Sequence, residues 1–249
     1  MSAFIGSGKI KIAPYDAAVA FGSRAFVDVG NTSAFQFSFT ENRQELRDYR
    51  DPAGGVDASV ARIEAVTGSM DLRHFTAANL AMALWGNTGA LTATAIVGEA
   101  GHKALAGKFI PTARLINTTI APVLKKGATT LNAADYTVSA GGITFASTFA
   151  TVGLVEGDAI TIDYTPLAST DVQALVNSAP NVSVFFEGVN AVTGKYASVR
   201  QYKCKLGVAQ NVGLIGDDFG TLQLSFTVEK DDTISGAGTS QFFAVQQAT

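Results

Sequence analysis

Apolar side chains recur at every second position in one run after another. Phe35, Phe37 and Phe39 alternate with Gln36, Ser38 and Thr40. Val182, Val184 and Phe186 share a phase, with Ser183 and Phe185 between them. Cys204, Leu206 and Val208 face away from Lys203, Lys205 and Gly207. Leu222, Leu224, Phe226 and Val228 alternate with Gln223, Ser225 and Thr227, and Phe243 and Val245 alternate with Phe242, Ala244 and Gln246. Period 2 marks a strand with one buried face, and so many short runs predict a mainly β chain. One segment departs from it. Residues 74–86, HFTAANLAMALWG, are rich in helix formers and place Phe75, Leu80, Leu84 and Trp85 on one apolar stripe. Thr76 is the expected N-cap, Gly86 the expected stop, and the stripe is expected to cover a face of the sheet.

Composition narrows the function classes. Hydrophobic residues make up 47% of the 249, and charged residues 16%. That is ample apolar surface for a core and argues against disorder. No stretch approaches the ~18 apolar residues of a membrane helix. The net charge of −3 lacks the basic excess of a chain that grips nucleic acid electrostatically. The single cysteine, Cys204, permits no internal disulfide and fits a reducing compartment. The opening MSAFIGSGKIKIAPYD has no basic region followed by an apolar one, so use without export is expected.

Two segments stand apart. Residues 41–62 concentrate charge, and Pro52, Gly54 and Gly55 are expected to interrupt any strand or helix, so the segment reads as a long polar connection. Residues 112–166 read as several short strands separated by turns. The expected organisation is a discontinuous main domain, 1–110 with 167–249, and a small β-sandwich inserted at 111–166.

No catalytic, cofactor or metal constellation emerges, and none is expected. His74 and His102 are far apart and lack cysteine neighbours, and no G-x-S-x-G elbow is present. GEAGHK at 98–103 and GSGK at 6–9 lack phosphate-loop spacing. Asp217–Asp218 and Asp231–Asp232 sit in turn-like sequence and read as solvated turns, and Cys204 reads as a buried thiol.

The order of these pieces resembles a siphophage major tail tube protein. The likeness lies in GSGKIKIAPY and FVDVGNTSAFQFSFTEN, in VARIEAVTGSMDLRHFTAANLAMALWGNT, and in the closing YKCKLGVAQNVGLIGDDFGTLQLSFTVEKDD. It covers residues 1–90 and about 175–249. The resemblance implies a tail-tube β-sandwich or barrel with one packed helix, and no enzyme. It implies homohexameric rings stacked into a tube in the virion tail, made in the host bacterial cytoplasm, through which genomic DNA passes without specific binding. The implied partners are further copies of the chain and the tape measure, tail tip and tail terminator proteins, with no membrane. The 41–62 segment resembles the family's stacking loop, which implies pairing of Arg43, Glu45, Arg47, Asp48, Arg50 and Asp51 across rings. Phe4 and Ile5 at one end, and Phe242 and Phe243 at the other, are the implied inter-subunit arms. The 111–166 insertion resembles immunoglobulin-like additions and is implied to sit on the outer surface. A secretion-system tube, a tail-completion ring and a β-sandwich carbohydrate-binding module are the alternatives. The last needs an aromatic platform, for which the chain offers only Trp85.

Overall fold

The structure is a computed structural model that describes residues 6–50 and 52–249; Phe4, Ile5 and Asp51 lie outside the described residues. It is mainly β, with a single short α-helix among the described residues. The chain begins with β1 (Gly6–Pro14), β2 (Val27–Asp28), β3 (Thr32–Asp48), β4 (Gly55–Leu72), α1 (Ala77–Ala83) and β5 (Asn87–Leu91). It continues through β6 (Ile96–Lys103), β7 (Phe109–Pro111), β8 (Val123–Lys126), β9 (Thr129–Thr130), β10 (Tyr136–Ser139), β11 (Gly142–Phe145) and β12 (Ala159–Tyr164). It ends with β13 (Ser169–Gln173), β14 (Asn181–Asn190), β15 (Tyr196–Leu206), β16 (Leu222–Glu229) and β17 (Phe243–Gln247).

Two compact units result, Met1–Thr88 with Val172–Thr249, and Gly89–Asp171. The second unit is wider than the 111–166 expected from the sequence. β6 pairs with β12 and β7 pairs with β11, so residues from 96 onward belong to its sheets. Residues 88–110 read from the sequence as a strand followed by a flexible linker; the strand is present as β6, and Gly98 and Gly101, both at positive φ, sit where its register slips against β12. Its three- and four-stranded sheets share one core, built on Ile110, Leu124, Ile143, Phe145, Ile160 and Ile162.

The first unit is one eight-stranded sheet in the order β2-β1-β14-β15-β16-β4-β3, with β17 added beside β15. β15 divides one edge between two partners: Ala197–Gln201 pair with β17, and Lys203–Leu206 pair with β16. The alternation read from the sequence selects the core face. Met70, Val184, Leu206, Leu222, Leu224 and Phe226 are buried together. The sheet curls until the Phe35 ring on β3 stacks on both Phe186 of β14 and Phe226 of β16. Glycine makes that approach possible. A Cβ at Gly68 would lie 2.2 Å from the Phe226 ring, and one at Gly188 2.4 Å from the Phe186 ring.

α1 begins where expected, with the Thr76 hydroxyl accepting from the Asn79 amide at 3.2 Å. Its buried face differs from the predicted stripe. Asn79, Ala81 and Ala83 are buried, Phe75 and Leu80 pack partly on the core, and Leu84 and Trp85 lie at and past the helix end. A polar residue takes the central place because the Asn79 amide nitrogen donates to the Val29 and His74 carbonyls. The left-handed residue that ends the helix is Trp85, at φ +48°, not Gly86. Gly86 is needed for space, since a Cβ there would lie 2.3 Å from the Gln173 carbonyl oxygen.

Candidate assembly surfaces

The 41–62 segment is not a loop. β3 and β4 form one long antiparallel hairpin whose register runs from Thr32↔Leu72 to Asp48↔Gly55, and of the described residues only 49–50 and 52–54 lie between the strands. Pro52, Gly54 and Gly55 therefore sit at the turn and the first strand position, where they do not interrupt pairing. Two register shifts, one at Thr40/Glu41 and one at Leu46/Arg47, let the strands pass the charged stretch without breaking.

Along β3 the chemistry changes at the first of these shifts. The sequence alternation of Phe35, Phe37 and Phe39 is followed by Glu41, Arg43, Glu45 and Arg47. Beyond the sheet body every described hairpin residue from Ser38 to Arg47, and from Gly55 to Glu64, is exposed on both faces. Arg43 pairs with Glu45 at 3.1 Å and also donates to the Ser59 hydroxyl. Asp48 accepts from the Arg50 amide at 2.8 Å, fixing the turn. Arg47 makes no ion pair among the described residues. Between the charges stand exposed Leu46, Tyr49, Val56, Val60 and Ile63. A two-stranded ribbon that packs on nothing is marginal in water, and its exposed apolar residues add to that cost.

The sheet face opposite the core is chemically uniform over β3, β4 and β16. It presents Gln36, Ser38, Thr67, Ser69, Ser225 and Thr227, with Gln36 donating to Ser69 and Ser38 sharing a hydrogen bond with Thr67. The matching face over β14 and β15 is instead covered by the segment after β1. Phe21 and Phe26 pack on Phe185, and Phe21 also on Tyr202.

That cover is locked by a group the sequence concealed. Arg24 is buried and donates to the Val19, Tyr202 and Asp16 carbonyls and to the Ser183 hydroxyl. Its guanidinium lies 3.6 Å from Asp231, which also accepts from the Tyr15 and Thr233 hydroxyls. Asp231, read from sequence as half of a solvated turn, is fully buried. Burial pushes its carboxyl up, but the Thr233 hydroxyl and amide, Tyr15 and Arg24 outweigh that and hold it below the usual range. The other half, Asp232, stays in solvent beside Lys230. Cys204 is buried as expected, and burial pushes its thiol up to about 12.

The C-terminal aromatics are not free arms. Phe243 lies in β17, with its ring against Phe37 and Phe39, and the Phe242 carbonyl accepts from the Tyr202 amide. The reason is the divided edge of β15, whose unpaired stretch β17 fills.

Beside α1 lies an apolar recess of about 300 Å³, lined among others by Ile12, Val27, Ala78, Met82, Trp85 and Pro180. The Trp85 indole N–H is buried and has no acceptor among the described residues. On the same unit, residues 213–220 form a finger whose Leu214, Ile215 and Phe219 are 79%, 101% and 90% exposed. Its root is fixed. Arg73 donates to the Phe219 carbonyl and the Ser33 hydroxyl, and Val212 bridges to Leu222.

In the second unit the described polar groups are closed in on themselves. Glu99 accepts from Tyr164, from His102 and from the Ala113 amide. Burial and that bond push the Tyr164 hydroxyl up to about 12. Asp135 is buried and accepts from the Thr151 hydroxyl and from the Ala150 and Thr151 amides.

One family model, described as "Protein of unknown function UCP028589", matches residues 3–246. No curated protein matches the chain.

Proposed function

The chain belongs to the UCP028589 family over residues 3–246, and from that premise and the geometry above we propose that it is a virion structural protein, a tail tube subunit. In this reading six copies close into a ring, rings stack into a tube, and the tube conducts the genome. The observation that carries the reading is the β3–β4 hairpin. It is a long ribbon of paired strands, exposed on both faces and carrying charge and apolar residues together. A monomer gains nothing from building it, whereas a stacked neighbour would cover it. Arg43, Glu45, Arg47, Asp48 and Arg50 would meet complementary charges there. Each exposed pair contributes only ~0–1 kcal/mol, so register would come from several pairs multiplied by the ring's symmetry.

Two further features support the reading. The outer edge of β3 is unpaired along its length, and a ring contact would use it up. The Ser, Thr and Gln face of β3, β4 and β16 is itself uncharged at these positions and is bordered by the exposed Lys205 of β15, a sparse positive charge that suits a conduit wall. The second unit, with its separate core, would be the immunoglobulin-like addition on the outside.

The test is a shortened hairpin. Asn42 and Arg62 are partners in the register, so residues 43–61 can be replaced by a two-residue Asn-Gly turn. Negative-stain electron microscopy of the unaltered chain is expected to show rings and hollow tubes, with tail tips added as initiators where needed. The shortened chain is expected to keep its fold and form no tubes. Tubes of normal length from the shortened chain would remove the hairpin from stacking. Unaltered chain that stays monomeric even with tail tips would sink the reading.

A further inference from the structure

We infer that the 213–220 finger of one copy seats in the apolar recess beside α1 of the next copy, so that successive copies join head to tail. This rests on the reading that the chain self-associates, and it names the contact. Three observations converge on it. The finger carries three large apolar side chains almost wholly in solvent, on a root that is hydrogen-bonded in place. The recess is apolar, about 300 Å³, and unfilled by its own chain, since no finger residue lines it. Its wall residue Trp85 is held at a left-handed φ of +48°, which a bulky residue rarely adopts, and buries an N–H without an acceptor.

Charge selects the same occupant. Asp217 and Asp218 stand between Ile215 and Phe219, and neither is in an ion pair among the described residues. Lys205 is exposed, shares a groove with Trp85, and pairs across the strands with Asn181 of the recess wall. It too has no ion-pair partner among the described residues. A finger entering the recess of a second copy would bring an acidic pair toward a free lysine. Because finger and recess are different surfaces, the contact is heterologous, which closes into a ring when the rotation permits. It is an anchor within a larger interface, since three side chains fall short of the roughly 800 Å² per partner of a stable complex.

Site-directed crosslinking tests this. Ile215 and Ala78 are exposed, and the native Cys204 is buried, so new thiols alone will react. Chains carrying Ile215→Cys are mixed with chains carrying Ala78→Cys and oxidised. A disulfide-linked dimer is expected in the mixture and in neither chain alone. The double variant is expected to give a ladder beyond dimer. Ile215→Asp is expected to weaken association by roughly 10- to 100-fold, with Ile215→Leu close to the unaltered chain. The emission of Trp85, the one tryptophan, is expected to change on assembly of the unaltered chain and not of Ile215→Asp. No dimer in the mixture, under conditions where the unaltered chain assembles, overturns the contact. So does equal crosslinking of Ile215→Cys with itself. Tubes without crosslinks would leave the tube reading standing and this contact refuted. A ladder without rings or tubes would do the reverse. Monomer alone in every arm refutes both.

Discussion

Arg24 shows how much of this fold hangs on single polar groups. Four hydrogen bonds and the buried Asp231 make it a tie between the segment after β1, strands β14 and β15, and the chain beyond β16. Removing one partner leaves the other charged and buried, so Arg24→Ala is expected to cost about 3–5 kcal/mol, read from urea unfolding. Acid acts on the same tie. The carboxyl of Asp231 titrates below its unfolded value, so its contribution is complete above about pH 4 and is lost as pH falls through the lower, folded value. Unfolding midpoints measured from pH 7 to pH 3 should fall below about pH 4, and Asp231→Asn should flatten that fall. Steric ties matter equally. Gly68→Val would drive a side chain into the Phe226 ring and is expected to cost at least about 1–3 kcal/mol in the same assay. None of this was readable in the sequence. EKDDT is polar throughout, and the partners that bury Asp231 but not Asp232 include Arg24 and Tyr15, more than 200 residues away in the chain.

At the scale of elements, alternation carried the reading well where one face is buried. Phe35 to Phe39 and Leu222 to Val228 were placed in strands on the correct phase. It failed in β3 beyond Thr40. There charged Glu41, Arg43, Glu45 and Arg47 alternate with polar Asn42 and Gln44, which gives little hydrophobic contrast, so a solvated strand looks like a loop. Residues 88–110 read as a strand and a flexible linker; the glycines of β6 shift its phase, which hides its pairing with β12 and the strand β7 that follows. The helix stripe was misjudged because a satisfied Asn79 can take a core position that polarity alone denies it. The hairpin's exposure also sets a prediction. Arg43→Glu with Arg47→Glu touches no buried contact, so the melting temperature should hold, with stability changed by less than about 0.5 kcal/mol. Assembly, counted as tubes in electron micrographs, should be lost, and in the unaltered chain it should weaken as salt rises.

For the whole molecule, the two units own separate cores, and the chain leaves and re-enters the first at neighbouring points, with Gly86 packed on the Gln173 backbone. Replacing residues 89–171 by a short Gly/Ser linker is therefore expected to leave the first unit folded, with one cooperative thermal transition where the full chain gives two by calorimetry. The sheet order has a last consequence, in time. β4 must wait for β16, made about 150–160 residues later, and β1 for β14, about 170–180 residues later. At roughly 5–20 residues per second, the hairpin emerges on the order of ten seconds before its sheet partner exists. A chain still on the ribosome cannot yet present a finished subunit. In the tube proposed above, copies on one message would join only once each is complete, and translation itself would act as the clock for assembly.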